Sequence, residues 1–204
     1  MLQLRTIEPN TLELLKSLCQ QPLWEGHFLV GGTALALQMG HRFSVDLDLF
    51  THEPFDAEAL LAMLREHYEV QPLTISNSIF ISVVNGVKVD IVHFKYPFAN
   101  PIIHTDNVRM ADIKDIAPMK LDAVTKRGSK KDFFDMYYLF EQFEPNEILA
   151  WYAAMFRHST AFHVIRSLVY FEDAELTENP IVFDKSVTWE KVKKRMNEVI
   201  NEHF

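Results

Sequence analysis

Two aspartates, Asp46 and Asp48, alternate with apolar residues in the segment 45–50. This alternation predicts a β-strand, on which residues two positions apart point to the same face. Neighbouring carboxylates repel each other unless a cation lies between them. Hard oxygen ligands at this spacing suit Mg²⁺ or Mn²⁺, which keep coordination positions open for phosphate oxygens. We therefore predict that Asp46 and Asp48 bind a divalent metal ion. The alternative is the solvated face of an amphipathic strand.

A third carboxylate, Asp90, lies in a second alternating segment, 87–94, directly after the hairpin signal Asn85-Gly86. Asp90 shares one face of this predicted strand with Lys88, and the opposite face is apolar. If the two strands are neighbours, Asp90 completes a three-carboxylate site. Such a site can hold two divalent ions, one that activates an attacking hydroxyl and one that binds a triphosphate. The alternative is a single strand aspartate without a ligand.

A glycine pair, Gly31 and Gly32, separates an apolar run from a predicted helix over 33–39, for which Thr33 is a suitable N-cap. Glycine permits close approach of the backbone to a ligand, and the free N–H groups that open a helix bind anions. We predict a phosphate site here, although a Gly-Gly pair alone is usually a turn.

Arg42 and Ser44 flank the two aspartates. Either side chain could contact a phosphate. Arg42 could instead pair with a nearby carboxylate, and the sequence leaves these alternatives open.

A lysine and two aspartates lie on predicted helices in the second half of the chain, over 112–127 and 131–143. Lys120 lies on a largely apolar side and needs a counter-charge, which a triphosphate or a carboxylate would supply; we favour phosphate. Asp132 and Asp135 share a helix face. They could face a nucleotide cleft or form ion pairs with lysines or arginine nearby.

Basic residues are concentrated between Lys120 and Lys131. This stretch could steer an NTP or an RNA end towards the site, or it could be a solvated turn. The nine histidines show no ligand spacing; His158 and His163 are five apart, so we predict no zinc site.

The composition limits the classes of protein that fit. The chain has 204 residues and a net charge of -8, which argues against a protein that coats DNA or RNA. Cys19 is the single cysteine, so an intramolecular disulfide and a cysteine-based metal site are excluded. Because the sequence shows neither a signal peptide nor an apolar run of membrane-spanning length, we expect a cytoplasmic protein without membrane contact.

The predicted elements divide the chain into an α/β core over 1–108 and a helical region over 109–204, including further helices over 146–170 and from about 188. We expect an α+β fold with a ligand cleft between the two parts.

Four segments of the sequence, which include most of the candidate residues above, resemble the signature of the nucleotidyltransferase superfamily, which has a polymerase-beta-like fold. More narrowly, they resemble its AbiEii/AbiGii toxin branch. The similar segments are 31–36 (GGTALA), 41–50 (HRFSVDLDLF), 120–124 (KLDAV) and 131–137 (KDFFDMY). The resemblance implies a mixed sheet flanked by helices, with a helical C-terminal region. It also implies transfer of a nucleoside monophosphate from an NTP to an acceptor, such as an RNA 3′ end or a protein, and a cognate antitoxin.

The leading hypothesis is therefore a metal-dependent nucleotidyltransferase. In it the three strand aspartates bind the metal, segment 31–33 binds the β- and γ-phosphates, and Lys120 neutralises the triphosphate; Asp132 has a catalytic role. Two alternatives are a non-catalytic nucleotide-binding or regulatory protein on the same scaffold, and a nucleotidyltransferase that modifies a small molecule such as an antibiotic.

Overall fold

The computed structural model describes residues 1–157 and 161–203. The chain forms two compact units: unit 1 comprises Met1–Gly40 and Ser44–Asp112, and unit 2 comprises His41–Phe43 and Ile113–Phe204. The division along the chain falls shortly after residue 108, because a short strand beyond that position still belongs to the sheet of unit 1. The assignment of three residues from the first half of the chain to unit 2 is not anticipated by the sequence pattern.

Unit 1 lies wholly within the described range and is built on one mixed sheet. Its strands are β1 (His27–Val30), β2 (Leu47–Thr51), β3 (Val70–Ile75), β4 (Ile79–Val84), β5 (Val87–His93), β6 (Ile103–Thr105) and β7 (Val108–Met110). Their order across the sheet is β3-β4-β5-β2-β1-β7-β6. Strand β2 pairs with β5 in parallel and with β1 in antiparallel orientation. The short strands β6 and β7 are missed by the sequence pattern, which indicates helices after residue 107.

Three α-helices accompany this sheet in unit 1: α1 (Pro9–Gln20), α2 (Gly31–Met39) and α3 (Ala57–His67). Helix α3 begins where the side chain of Asp56 accepts hydrogen bonds from two backbone N–H groups of the first turn. One face of the central strands is apolar and fully buried, as Leu47, Val89 and Ile91 show with no exposed surface. Burial of each such side chain contributes about 1.5–3 kcal/mol to the stability of the fold. Because the apolar residues are held on this face, the residues that alternate with them point to the opposite face.

The hairpin between β4 and β5 sets the register of the second acidic strand. Asn85 and Gly86 have φ values of 48° and 82°, and the two-residue turn with two positive φ angles is the one that Asn-Gly favours. The hairpin predicted from this dipeptide is confirmed. Pairing then runs from Val84 with Val87, through Ile81 with Asp90, to Ile79 with Val92.

Unit 2 is helical in its described part. Its helices are α4 (Ile113–Lys126), α5 (Lys130–Phe140), α6 (Pro145–Met155), α7 (Ala161–Ser167), α8 (Glu172–Glu175) and α9 (Trp189–His203). The continuous helix expected over 146–170 is wrong, because Phe156 has a non-helical conformation (φ -108°, ψ 63°) that ends α6. Residues 158–160 lie outside the described part, and so does the expectation for His158.

The α+β class predicted from the sequence, with a mixed sheet, flanking helices and a helical C-terminal region, is confirmed. Within residues 1–157 and 161–203, the helices lack the combination of length and apolar character that a bilayer crossing requires.

Candidate active site

The two acidic strands lie side by side at the centre of the sheet. The parallel register of β2 and β5 pairs Asp48 directly with Asp90. Partners in a parallel pair point to the same face. Both aspartates are half-buried, whereas their neighbours Leu49 and Val89 are buried on the opposite face. The two strands are therefore neighbours, which is the condition that the hypothesis of a three-carboxylate site requires.

Asp46 lies just before the strand rather than on it. Strand β2 begins at Leu47, two residues later than the alternation indicates, and Val45 is 49% exposed. The backbone oxygen of Asp46 accepts a hydrogen bond from the hydroxyl of Thr33. The position of Asp46 is thus fixed through its backbone by helix α2.

Gly31 is required by two features of its surroundings. Its φ is +67°, in the left-handed region that residues with a Cβ rarely adopt. A Cβ at this position would overlap Oδ2 of Asp48, which lies opposite Val30 in the β1–β2 register. Glycine therefore lets the carboxylate of Asp48 approach the first residue of helix α2.

The expectation that Thr33 caps helix α2 is wrong. The helix begins at Gly31, with Val30 as N-cap, so Thr33 is already inside the first turn. Thr33 is 1% exposed, and its Oγ1 lies 2.9 Å from Oγ of Ser44. The backbone N–H of Ser44 donates to the oxygen of Thr6 at 2.8 Å. These two hydroxyls, which the sequence analysis offers as phosphate contacts, contact each other and hold the helix to the segment before β2.

Lys88 forms an ion pair with the third predicted metal ligand. Its Nζ donates to both carboxylate oxygens of Asp90 at 2.6 Å. Alternation in the sequence predicts that the two residues share one strand face but does not by itself predict the ion pair, which their i, i+2 spacing could have indicated.

Oxygen donors of the right chemistry for a hard divalent ion are present at Asp46, Asp48 and Asp90. Across the described residues, however, no three His, Cys, Asp or Glu side chains are placed so that they could hold one ion. The register brings Asp48 and Asp90 to adjacent positions, and the carboxylate of Asp90 is held by Lys88. The donor set therefore fits a metal by type and strand position, and its side chains would have to converge to bind one.

The other predicted site residues form a buried ion-pair network within unit 2. Arg42 donates to Asp135 through Nε at 2.6 Å and through Nη2 at 2.9 Å, and His41 Nε2 lies 2.8 Å from the same carboxylate. Lys120 lies 2.8 Å from Asp135 and 3.2 Å from Asp132. For Arg42, which the sequence leaves open between phosphate and carboxylate, the structure shows the carboxylate contact. For Lys120, the counter-charge in the structure is a carboxylate, whereas the sequence analysis favours phosphate.

Asp132 is likewise held by ion pairs and hydrogen bonds. It is fully buried and accepts hydrogen bonds from Arg127 Nε at 2.9 Å and from Ser129 Oγ at 2.6 Å, besides the pair with Lys120. These contacts within unit 2 correspond to the ion-pair alternative that the sequence offers for Asp132.

The electrostatics of the network favour the charged forms of its acids and lysine. Burial raises the pKa of Asp132, but the charges of Lys120 and Arg127 and the hydrogen bonds outweigh it, so the pKa lies below the usual range. Burial likewise raises the pKa of Asp135, and the charges of Arg42 and Lys120 and the hydrogen bonds outweigh it there. Burial lowers the pKa of Lys120, but the two aspartates outweigh it and its pKa is raised. For His41, burial is the largest effect and lowers the pKa, which favours the neutral ring.

The basic stretch that follows Lys120 is largely engaged in ion pairs. Lys126 lies 2.7 Å from Asp122 on the same helix, and Arg127 pairs with Asp132. These contacts reduce the positive charge that the stretch presents to a ligand, which weakens the steering role considered from the sequence.

Comparison with known proteins places this fold and these residues in a family. The family model of the nucleotidyl transferase AbiEii toxin, type IV toxin–antitoxin system, matches residues 13–105, which contain Asp46, Asp48, Asp90 and Gly31. A protein of Aquifex aeolicus (strain VF5), described as the uncharacterized protein aq_aa25, is 31% identical over 207 residues. The match covers 98% of this chain and 99% of that protein.

Solved structures share the fold at low sequence identity. A Helicobacter pylori protein provisionally described as a nucleotidyltransferase has a TM-score of 0.61 at 18% identity, covering 95% of this chain and 94% of that chain. MenT4, a nucleotidyltransferase toxin from Mycobacterium tuberculosis H37Rv, has a TM-score of 0.58 at 13% identity, covering 86% and 75%. With the full-length relative and the family match over the acidic strands, this chain belongs to the AbiEii family of nucleotidyltransferase toxins.

Proposed function

We propose that this protein transfers a nucleoside monophosphate from an NTP to an acceptor hydroxyl, with the reacting groups held by unit 1. The observation that carries the proposal is the direct register of Asp48 with Asp90, next to the first residue of helix α2. Carboxylates at adjacent positions of two central strands offer oxygen ligands to a divalent ion, and a helix N-terminus nearby suits a phosphate.

The residues that would hold the metal are Asp46, Asp48 and Asp90. A divalent ion, Mg²⁺ or Mn²⁺, would supply charge neutralisation for the triphosphate and would lower the pKa of the acceptor hydroxyl. The absence of a side chain at Gly31 lets the carboxylate of Asp48 lie close to the start of helix α2. Asp90 must first leave Lys88, whose side chain is 43% exposed and can move into solvent.

The phosphates of the NTP would bind at the start of helix α2. The N–H groups of the first turn have no partner within the helix, and Gly31 and Gly32 place no side chain between them and a ligand. A nine-residue helix adds the favourable field of its dipole for an anion. We propose that Gly31, Gly32 and Thr33 contact the β- and γ-phosphates through their backbone.

In the proposed reaction, the acceptor oxygen attacks the α-phosphorus in line. A bond forms between this oxygen and the α-phosphorus. The bond from the α-phosphorus to the oxygen that bridges the α- and β-phosphates breaks, and pyrophosphate leaves with the electron pair. Asp90 takes up the proton of the acceptor hydroxyl. Positioning and fixed charges supply most of the rate in phosphoryl chemistry of this kind.

Neutralisation of the triphosphate by Lys120 and a catalytic role for Asp132 stay predictions from the sequence. Within unit 2, their charged groups are held by each other and by neighbouring residues. The contacts support a role in the stability of unit 2, and a direct role needs its own test.

The family match supports a proposal for the partners of the reaction. An NTP is the donor, and an RNA 3′ end or a protein hydroxyl is the proposed acceptor. Because the family model describes the toxin of a type IV toxin–antitoxin system, we also propose a cognate antitoxin. The supply of NTP makes the cytoplasm the proposed location.

The test of this function uses two labels on the same nucleotide. The protein is incubated with each NTP carrying ³²P at the α- or the γ-position, with Mg²⁺ or Mn²⁺ and a cell extract as the source of acceptors. Nucleotidyl transfer puts the α-label on the acceptor and the γ-label in pyrophosphate. The γ-label on an acceptor, or NTP binding without transfer of either label, would contradict it; the second result would favour the non-catalytic alternative.

A further inference from the structure

A cluster of aromatic rings lies on the same sheet face as the paired carboxylates. The aromatic cluster consists of Phe28, Phe50, His52, Phe94, Tyr96 and Phe98. The ring centroids of Phe50 and Phe94 are 5.1 Å apart, and those of Phe94 and Tyr96 are 5.3 Å apart. These rings pack as a continuous group that belongs entirely to unit 1.

Strand geometry relates the aromatic cluster to the carboxylates. Phe50 follows Asp48 by two residues on β2, and Phe94 follows Asp90 by four residues, one residue beyond the end of β5. The backbone N–H of Phe94 donates to the oxygen of Thr51 at 2.8 Å, so the parallel pairing continues to this point. With a rise of about 3.3 Å per residue, Phe50 lies roughly 7 Å from Asp48 and Phe94 roughly 13 Å from Asp90. Tyr96 and Phe98 follow Phe94 in the chain.

An open cavity adjoins the aromatic cluster. Its volume is about 380 Å³, and it is lined by His52, Lys95, Pro97, Phe98, Asn100 and Ile102. This volume lies within the range of small-ligand sites. The lining combines a flat ring, an amide and a cationic side chain, and the neighbouring Tyr96 is 43% exposed.

A nucleotide matches this combination of lining residues, because it links a flat ring with polar edges to an anionic phosphate. Unpaired nucleobases stack on aromatic side chains, amides bond to base edges, and lysine contacts backbone phosphates. Because the proposed acceptor hydroxyl must reach Asp90, an acceptor that continues along the same strand direction would pass over the cluster. The net charge of -8 means that stacking, rather than a broad basic surface, must supply the affinity.

We propose that the aromatic cluster and its cavity form a binding site for the unpaired 3′-terminal nucleotides of a nucleic-acid acceptor. Bases stack on Tyr96 and Phe98, and Lys95 contacts a phosphate. This inference rests on the proposed function, because it assigns the acceptor of that reaction.

The test measures binding without nucleotide or turnover. Fluorescence anisotropy follows a 5′-labelled, unstructured RNA decamer and a DNA decamer of the same sequence. Tyr96→Ala should raise the Kd roughly tenfold, as loss of one stacked base predicts. Lys95→Gln should raise the Kd less and reduce the slope of log Kd against log salt by about one. Tyr170→Ala is the matched control, because Tyr170 is 49% exposed in unit 2 and should leave the Kd unchanged.

A second ring variant guards against loss of folding. Phe98→Leu keeps an apolar side chain in the cluster and removes the ring, so it should also weaken binding severalfold. Preference for either RNA or DNA supports the site and names the acceptor. Absence of binding by the wild type to both oligonucleotides, or an unchanged Kd in both ring variants, would overturn the inference.

Failure of the site and failure of the proposed function give different results. Oligonucleotide binding that depends on Tyr96, without any NTP-dependent transfer, would contradict the function and leave the nucleic-acid site standing. Transfer of the α-label to a protein, with no oligonucleotide binding, would overturn the site and leave the function standing.

Discussion

The ammonium of Lys88 lies 2.6 Å from each carboxylate oxygen of Asp90, two residues along the same strand. Asp90 in turn lies opposite Asp48 in the parallel pairing of β2 and β5. A positive side chain therefore occupies both oxygens of the carboxylate that we propose as a metal ligand. Metal binding and the ion pair with Lys88 are then competing states of the Asp90 side chain.

The first prediction concerns this competition. Lys88→Met should tighten binding of Mn²⁺ by up to about fivefold, because an exposed ion pair contributes about 1 kcal/mol or less. Isothermal titration calorimetry of Mn²⁺ without NTP measures the change. Lys194→Met is the control, since Lys194 is exposed in unit 2 and pairs with Glu198. Unchanged or weaker Mn²⁺ binding in the Lys88 variant would show that the ion pair does not compete with metal.

The second prediction separates backbone strain from the clash at Gly31. Gly31→Ala and Gly86→Ala both place a Cβ at a left-handed φ, of +67° and +82°, which costs about 1–2 kcal/mol. Only the Cβ at Gly31 would meet Asp48, whereas nothing lies within 4 Å of a Cβ at Gly86. Both variants should therefore lose stability in urea, but only Gly31→Ala should also lose nucleotidyl transfer, by at least about tenfold. Equal activity of the two variants would argue against a functional approach of Asp48 to helix α2.

The third prediction concerns the buried ion-pair network of unit 2. Asp135→Asn leaves Arg42 and Lys120 with one partner less and should lower the free energy of unfolding by about 3–5 kcal/mol at pH 7. Asp122→Asn, which removes a surface pair with Lys126, should cost about 0.5 kcal/mol or less. Urea unfolding monitored by circular dichroism measures both changes. Similar losses in the two variants would contradict the importance of the buried network.

The pH dependence of the same network follows from the direction of the pKa shifts. The folded-state pKa values of Asp132 and Asp135 lie below the ordinary value of 3.8. Their contribution to stability is therefore fully present above about pH 4 and is lost as the pH falls further, because the unfolded chain takes up protons first. The decrease below pH 4 should be shallower in Asp135→Asn than in the wild type; an equal decrease would show that other carboxylates dominate.

The fourth prediction concerns His27, a buried residue that the motif analysis does not single out. Burial, with a smaller effect of the Arg109 charge, lowers the pKa of His27 from 6.5 to about 4. Neither ring nitrogen has a hydrogen-bond partner, so folding favours the neutral ring. Stability should fall as the pH decreases from about 6.5 to about 4, by at most about 3 kcal/mol.

A His27→Phe variant tests this dependence, because Phe keeps the ring that packs edge-on against Trp24. The variant should lose most of the pH dependence of the free energy of unfolding between pH 4 and 6.5. The exposed His67 provides the control, and His67→Phe should keep the wild-type slope. The same slope in the wild type and in His27→Phe would contradict the pKa assignment.

The sequence predicts the acidic strands well because strand periodicity and turn chemistry are local. Alternation around Asp48 and Asp90 indicates which face each carboxylate occupies, and the Asn85-Gly86 turn fixes the start of β5. The start of helix α2 is missed by two residues, since Gly31 enters the helix with a left-handed φ that no local propensity favours.

The contacts of Arg42, Lys120 and Asp132 could not be predicted from local pattern alone. Arg42 and Asp135 are 93 positions apart in the chain, and only the fold brings their charges together. The sequence shows that Lys120 needs a counter-charge but not whether a ligand or another side chain supplies it. The segment His41–Phe43 belongs to unit 2 for the same reason, because it is held by long-range ion pairs rather than by the periodicity of its neighbours.

The most direct measurement of the central claim compares NTP-dependent transfer by the wild type with that by Asp48→Asn. The substitution keeps the size of the side chain and removes the charge that a divalent ion requires. We predict at least about a thousandfold loss of α-label transfer. The circular dichroism spectrum should be unchanged, and the free energy of unfolding in urea should lie within about 1 kcal/mol of the wild type. Transfer at the wild-type rate by a folded Asp48→Asn protein would contradict catalysis at the Asp48–Asp90 pair.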